Sequence, residues 1–339
     1  MSTSLEESDL QLINALQIAP RASWAALGRV LGSTPQALAT RWERLASSGA
    51  AWIATYPGVL YDDIVTALVE VDCRPGKQVP VVAALCDDPR VVTVEESSQG
   101  HDLLLTVMTA DLADMTAFVL DDLAAIDGVS RRSTSLATSV FHDGSRWRLR
   151  ALDRDQVARI ERLHEARPSR ASPVRPPTEA WPLIEALAAD GRRSAAEIAA
   201  ITGRKPATVR RQLPRLLRSG MLSMRCEIAQ PVSSQPISCT LRGRLDPADT
   251  ERTMGALRGL ANLRLAMSTT GSRNFVMTLW VNDLARVTET ERLLAQRLPA
   301  LEITGSSVNL RTAKRVGRIL DSAGYATESV ITPTALRSR

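Results

Sequence analysis

The chain repeats itself, and that constrains its fold more than any other feature. Residues 21–49 lie over 192–220 without a gap: Arg21 on Arg192, Ser23 on Ser194, Ala25 on Ala196, Gly32 on Gly203, Pro35 on Pro206, Arg44 on Arg215 and Ser48-Gly49 on Ser219-Gly220. Apolar positions follow the same shift, with Leu12 and Ile13 on Leu183 and Ile184, Leu16 on Leu187, Leu27 on Ile198, Leu38 on Val209 and Leu45 on Leu216. Further on, Thr106 meets Thr278 and Asp111-Leu112 meets Asp283-Leu284 after one inserted residue. Self-similarity at one fixed offset marks a duplicated structural unit. The halves run over about 1–165 and 178–320. Between them, residues 167–177 hold four prolines in eleven positions and no apolar period, which predicts an extended linker. Residues 153–165 place Val157, Ile160 and Leu163 at helical spacing and predict a short amphipathic helix. The tail beyond Leu320 lacks periodicity and is expected to be loose.

Each half opens with three short helical patterns. In the first, Leu10, Ile13 and Leu16 share a face, and Ser4 with Glu7 fits a capping box. Ser23 caps a second helix, which Gly32 ends because glycine accepts the left-handed C-terminal conformation at least cost. Thr34 caps a third, with Pro35 at its first position, where a missing N–H does no harm. The second half repeats the pattern, with Ser194 and Glu197 as the capping box and Pro206 at the first helical position. Helix, short glycine turn, helix is the helix-turn-helix signature, whose last helix usually enters the DNA major groove. The outward residues are Thr34, Gln36, Thr40, Arg41 and Arg44 in the first copy, and Arg204, Lys205, Thr208, Arg210, Arg211 and Arg215 in the second. Arginine reads guanine or holds phosphate, and glutamine reads adenine. Arg41, Arg44, Lys205, Arg211 and Arg215 are the expected anchors on duplex DNA. Pro214 interrupts the second of these helices; at roughly 3 kcal/mol in a regular interior it predicts a kink or an early end there.

Strand and helix patterns follow in the order βαββαβ: 64–71, 79–85, 91–95, 103–107, 115–126 and 129–140 in the first half, and 238–245, 250–260, 263–269, 274–281, 287–298 and 303–310 in the second. This is a ferredoxin-like split motif, an antiparallel sheet with two helices on one face. Its open face needs a cover, which the other half supplies. The predicted fold is therefore α+β, two tandem units each of a winged-type helix-turn-helix and a ferredoxin-like sensor. The expected domains are 1–56, 61–145, a short helix and Pro/Arg-rich linker over 146–177, 178–230, 235–320, and a tail over 321–339.

Charge is distributed unevenly. The chain of 339 residues carries a formal +5 with a pI near 9.4. Residues 62–127 hold fourteen acids against Arg74, Lys77 and Arg90, whereas residues 192–218 hold eight basic residues against Glu197 alone. A phosphate backbone would be attracted to one segment and repelled by another. The first ten residues carry no secretory signal pattern, and no apolar run reaches the ~20 residues of a membrane span. The four cysteines form no C-x-x-C pair and, with three scattered histidines, suggest no metal site and a reducing, cytoplasmic setting. Aromatic residues are 4%, too few for a single-strand stacking platform.

The stretch from Leu5-Glu-Glu-Ser-Asp9-Leu to Ser48-Gly49, with Gly100-His-Asp102-Leu-Leu and Gly271-Ser-Arg-Asn274-Phe-Val in the sensors, resembles the Lrp/AsnC family of bacterial transcriptional regulators. The resemblance covers about 320 residues and implies a non-enzymatic, cofactor-free, sequence-specific regulator with a sensor of the RAM type. It also implies a small effector, often an amino acid, bound between sensor sheets. By position the effector candidates are Gly100, Asp102, Thr134, Ser135, Gly271, Asn274 and Ser306. Two fused units, as in actinobacterial members, imply an intrachain pseudo-dimer with the capacity for further association. Siroheme decarboxylases resemble the same architecture and give an enzyme alternative, for which His101 is the sensor histidine nearest a turn. A ligand-sensing scaffold that no longer binds DNA is the other alternative.

Overall fold

The computed structural model describes residues 5–57, 64–163, 175–257 and 259–337. The first unit opens with α1 (Glu7–Ile18), α2 (Trp24–Leu31) and α3 (Pro35–Ser47), followed by β1 (Ala51–Pro57). Local chemistry sets these boundaries. The Ser23 and Thr34 hydroxyls accept the Ala26 and Ala37 amides at 3.2 and 3.1 Å, and Gly32 takes φ +65° behind α2. At α1 the expected Ser4 cap falls outside the described residues. The box is instead made by Glu6, whose amide donates to Asp9 at 3.1 Å. Leu12, Ile13, Leu16, Leu27, Leu38, Trp42 and Leu45 bury the inner faces.

The first sensor contains β2 (Val65–Cys73), α4 (Gln78–Asp87), β3 (Val91–Ser97), β4 (Leu103–Thr109), α5 (Leu112–Ala117), a π turn (Phe118–Asp122), α6 (Leu123–Ala125) and β5 (Val129–His142). Then comes α7 (Arg154–Glu161), capped by Asp153. The helices cover one sheet face, where Ala67, Val69 and Val71 meet Val81, Leu85, Met115, Phe118 and Leu123. The second unit repeats the order: α8 (Trp181–Ala189), α9 (Ala195–Thr202), α10 (Pro206–Arg218), β6 (Leu222–Ile228), β7 (Ile237–Leu245), α11 (Thr250–Leu257), β8 (Leu263–Thr269), β9 (Phe275–Val281), α12 (Ala285–Arg297) and β10 (Leu301–Arg315).

The two sensors are joined edge to edge as well as face to face. Pairings run β10-β3-β4-β2-β5-β8-β9-β7 and back to β10, a closed antiparallel ring of eight strands. Long strands make the corners. Residues of β5 up to Leu136 pair with β2 and those from Ala137 with β8; β10 leaves β7 at Asn309 and continues along β3 to Arg315. Register shifts in both strands mark the bends, the usual device by which a strand switches sheets. Inside, Leu68, Leu104, Met267 and Val276 form an apolar layer.

The readers are paired too. β1 runs antiparallel to β6, with Ala51 opposite Ile228 and Pro57 opposite Leu222. The repeat-equivalent arginines reciprocate across this seam. Arg21 Nη2 donates to Arg193 O at 3.0 Å, and Arg192 donates to Pro20 O and Ala22 O at 2.6 and 2.9 Å while lying 3.7 Å from the Trp24 ring centre.

Two expectations need correction. The helix α10 runs through Pro214 to Arg218. Leu213 and Leu216 are locked into the core on either side, and the carbonyl deprived of a partner belongs to exposed Arg210. The tail is not loose. After β11 (Arg318–Leu320) it forms β12 (Ala326–Val330), its Ala326 amide donates to Gly49 O at 3.0 Å, and Leu336 enters the second reader's core. Its anchors are single apolar residues among polar ones, so no period reveals them. The short helix expected over 153–165 is present as α7, and the connecting segment is tied to the first reader: Trp147 and Ile160 are buried in its core, and buried Asn14 and Gln17 accept the Ala151 and Leu149 amides at 2.9 Å. Residues 164–174 of the expected linker lie outside the described residues.

Candidate nucleic-acid interface and sensor cavity

The two last helices of the readers differ in how their cations are used. Gln36 and Thr40 of α3 are exposed and Thr34 is engaged as the cap. Arg41 and Arg44, however, both bond the carboxylate of Asp9, Arg41 at 2.7 Å, and Arg41 also reaches Glu6 at 3.2 Å. Asp9 is 1% exposed. Burial pushes its carboxyl up, but the bonds from Arg44, Arg41 and the Glu6 amide outweigh that and hold it below the ordinary carboxylate value. In the second unit Asp9 is replaced by Ala180 and Arg41 by Gln212. Gln212 accepts from Arg204 at 3.1 Å, and Arg204 also donates to Glu179 O. Lys205, Arg210, Arg211, Arg215 and Arg218 are exposed, and none forms an ion pair among the described residues. Thr208 is half-buried on the same helix.

The effector candidates fall into two equivalent groups, where the β-turn of one sensor meets the long strand of the other. Ser98, beside Gly100, exchanges bonds with Val308 near Ser306; Thr270, beside Gly271, does so with Leu136 near Thr134 and Ser135. Asp102 accepts the Cys73 amide at 2.6 Å, and Asn274 bonds both the amide and the carbonyl of Leu245 at 2.9 Å. Both side chains clamp a strand end. Thr134 is half-buried on β5 and its buried hydroxyl finds no partner among the described residues, while Ser306 is exposed.

A feature not legible in the sequence lies elsewhere. A cavity of about 140 Å³ separates β1 and β6 of the readers from the mouth of the strand ring. Tyr56 and Arg225 come from the readers, Glu95, Thr106, Val140, Arg264, Met267, Trp280 and Arg315 from the ring. No candidate effector residue lines it. Arg225 and Arg264 both pair with fully buried Glu227, Arg264 at 2.9 Å. Tyr56 donates to Asp143 at 2.8 Å. A Cβ at Gly144 would stand 2.3 Å from Arg225 Nη1, so a side chain there would have to shift the guanidinium.

The sequence comparisons support the reading of the first unit and of the second helix-turn-helix. The AsnC-type helix-turn-helix domain matches residues 5–46, the Lrp/AsnC ligand binding domain 66–147, and a winged helix-turn-helix DNA-binding domain 183–223. An uncharacterised helix-turn-helix transcriptional regulator of Pyrococcus horikoshii is 30% identical over 141 residues, covering 40% of this chain and 87% of the relative. The chain belongs to the Lrp/AsnC family. A Pyrococcus abyssi regulator is 29% identical over the same shares. This Lrp/AsnC chain is a helix-turn-helix transcriptional regulator with a ligand-binding domain, built with two helix-turn-helix units. Its full-length architecture is also seen in the crystal structure of the siroheme decarboxylase NirDL with an iron-uroporphyrin III analogue, at TM-score 0.59 and 14% identity, covering 98% of this chain and 97% of that one. At that identity the likeness is one of fold.

Among the described residues no helix is long and apolar enough to cross a membrane, and no group of His, Cys, Asp and Glu is arranged to hold a metal. The cysteines are free, and burial pushes Cys73, Cys86 and Cys239 up to about 11, away from thiolate chemistry.

Proposed function

We propose that the chain is a cytoplasmic, non-enzymatic regulator that binds double-stranded DNA through two unequal readers and responds to a small, amino-acid-like effector held by its sensors. The observation that carries the reading is the pairing of β1 with β6, which joins the two readers, together with four arginines of α10 that have no side-chain partner among the described residues. Phosphate contacts supply affinity, and base-edge contacts choose the site. Gln36 and Thr40 are exposed polar groups of the first reader's last helix with no side-chain partner among the described residues. The groups around Gly100, Asp102 and Ser306, and around Gly271, Asn274, Thr134 and Ser135, remain the family-derived effector candidates. An effector shifts the readers only by the difference in its affinity for their alternative placements.

Recovery of chromosomal fragments on the purified protein at several salt concentrations tests this. The expected result is a shared duplex site whose affinity falls as salt rises. Recovery of nothing above background would overturn the DNA reading and leave the sensing scaffold.

A tetrapyrrole-processing enzyme is the second reading, because the NirDL likeness extends over nearly the whole chain. Against it, no histidine lines the cavity described above. His101 is buried with Nδ1 3.6 Å from Glu70, and burial pulls its pKa down, outweighing the Glu70 carboxylate. A porphyrin absorption band on the purified protein would restore the enzyme.

A further inference from the structure

The cavity between the readers and the strand ring is built unlike an ordinary packing defect. Void space in a protein core is usually apolar and dry, as in an engineered cavity of about 150 Å³ that takes up benzene. Here three guanidinium groups share the wall with carboxylates and with a tryptophan face. Arg264 lies 4.0 Å and Arg315 4.9 Å from the Trp280 ring centre. Arg315 is 4% exposed; its Nη2 donates to Gln230 and Thr312 at 3.1 and 3.0 Å, while its Nη1 has no partner among the described residues. An unpaired guanidinium N–H in such a place costs more than almost any other polar group left bare.

Three guanidinium groups and three carboxyl groups stand around the cavity. Arg225, Arg264 and Arg315 are cations; burial lowers Arg264 only to about 10. Two carboxylates answer them. Burial pushes Glu227 and Asp143 up, but Arg225 beside both, with Arg264 beside Glu227 and Tyr56 and Ser145 beside Asp143, holds each below the ordinary value. Glu95 is the third acid, and it differs. Burial pushes it up, and Arg315, Asn309 and Arg264 pull it back only in part. Beyond the charged wall lie Val140, Leu265, Met267 and Trp280, which offer an apolar surface to the rest of a ligand.

We propose that this cavity binds one small monocarboxylate with a compact apolar body, its carboxylate toward the Arg315 guanidinium and its apolar part against Trp280, Met267 and Val140. The proposal deepens, and rests on, the effector half of the function above, and it moves the effector from the sheet turns to the joint between readers and sensors. A ligand here touches strands of both bodies, since Tyr56 and Arg225 stand on β1 and β6. Occupancy therefore bears directly on how the readers sit on the ring. An amino acid would place its ammonium toward Glu95; an oxo acid would leave Glu95 as a hydrogen-bond donor.

Tryptophan fluorescence and calorimetry on the full chain, without DNA, test it. The probes are acetate, pyruvate, 3-methylbutanoate, benzoate, L-leucine and 4-methyl-2-oxopentanoate, with isopentylamine as the carboxylate-free control. At least one carboxylate should bind saturably below roughly 10 mM and isopentylamine should not, and Arg315→Gln should weaken binding at least about tenfold. Thr106→Met, which fills the cavity and alters no charge, should abolish it and serves where Arg315→Gln fails to fold. Tighter binding of L-leucine than of its oxo acid would assign Glu95 to an ammonium, and the reverse would assign it to an oxo group. Absence of carboxylate binding, or wild-type affinity in both variants, overturns the proposal. Neither result depends on DNA binding, so the DNA reading stands or falls on its own experiment.

Discussion

The two readers have the same three helices and opposite electrostatics. In the first, a buried Asp9 gathers Arg41 and Arg44 onto the protein; in the second, Ala180 stands at that position and the cations of α10 face outward. An arginine count assigns both helices to DNA. The partners of those arginines divide the work differently: in the first reader they join α1 to α3, and in the second they are available to phosphates.

Breaking the second reader should have the largest effect. Arg211→Ala with Arg215→Ala should lower DNA affinity roughly ten- to a hundredfold at low salt and reduce the slope of log K against log salt by about 2. The same pair of changes at Arg41 and Arg44 should leave that slope within experimental error. Equal slope changes in the two double variants would erase the contrast.

Removing the clamp comes next. Asp9→Ala should destabilise the first reader by about 1–3 kcal/mol, the usual range for hydrogen bonds to a charged group, read as a lower unfolding midpoint. It should also free Arg41 and Arg44, so that the salt slope steepens toward that of a reader with two more cations.

Pro214→Ala should stabilise the second reader by about 1 kcal/mol or more, because it restores an N–H beneath the Arg210 carbonyl. DNA affinity should stay within about twofold, since the helix already continues to Arg218. A large gain in affinity would mean that proline restrains the helix on DNA.

The smallest effect is the pH response of the clamp. The folded Asp9 carboxyl is held below its ordinary 3.8, so the stability it contributes is present in full above 3.8 and lost as pH falls through the lower folded value. The difference in unfolding midpoint between wild type and Asp9→Asn should shrink across that acid range and stay constant at higher pH.

Much of this architecture was legible because it recurs. Glycine, proline and hydroxyl caps at a constant offset placed both readers, and alternation placed the strands of both sensors. What escaped depends on contacts distant in sequence. Nothing local announces that Arg21 and Arg192 serve each other's unit, although their alignment was the first match in the repeat. Asp9 passed as one residue of a family-like stretch, since the fate of its carboxylate is decided more than thirty residues away. The cavity is the extreme case: Tyr56, Glu95, Arg225, Arg264 and Arg315 come from five strands and share no spacing. Leu336 was missed because one apolar residue makes no pattern, yet it closes the second reader's core.

The ring of eight strands has a consequence at the level of concentration. Two readers carried on one polypeptide are always present in equal number, and dilution cannot part them, because each half meets its partner at an effective concentration set by the chain itself. A regulator assembled from separate subunits loses operator occupancy steeply as its expression falls, since dissociation into halves precedes loss of DNA. Here occupancy should follow protein level in simple proportion. The covalent order of the halves also prevents two copies of the strongly cationic reader from occupying one intrachain pair.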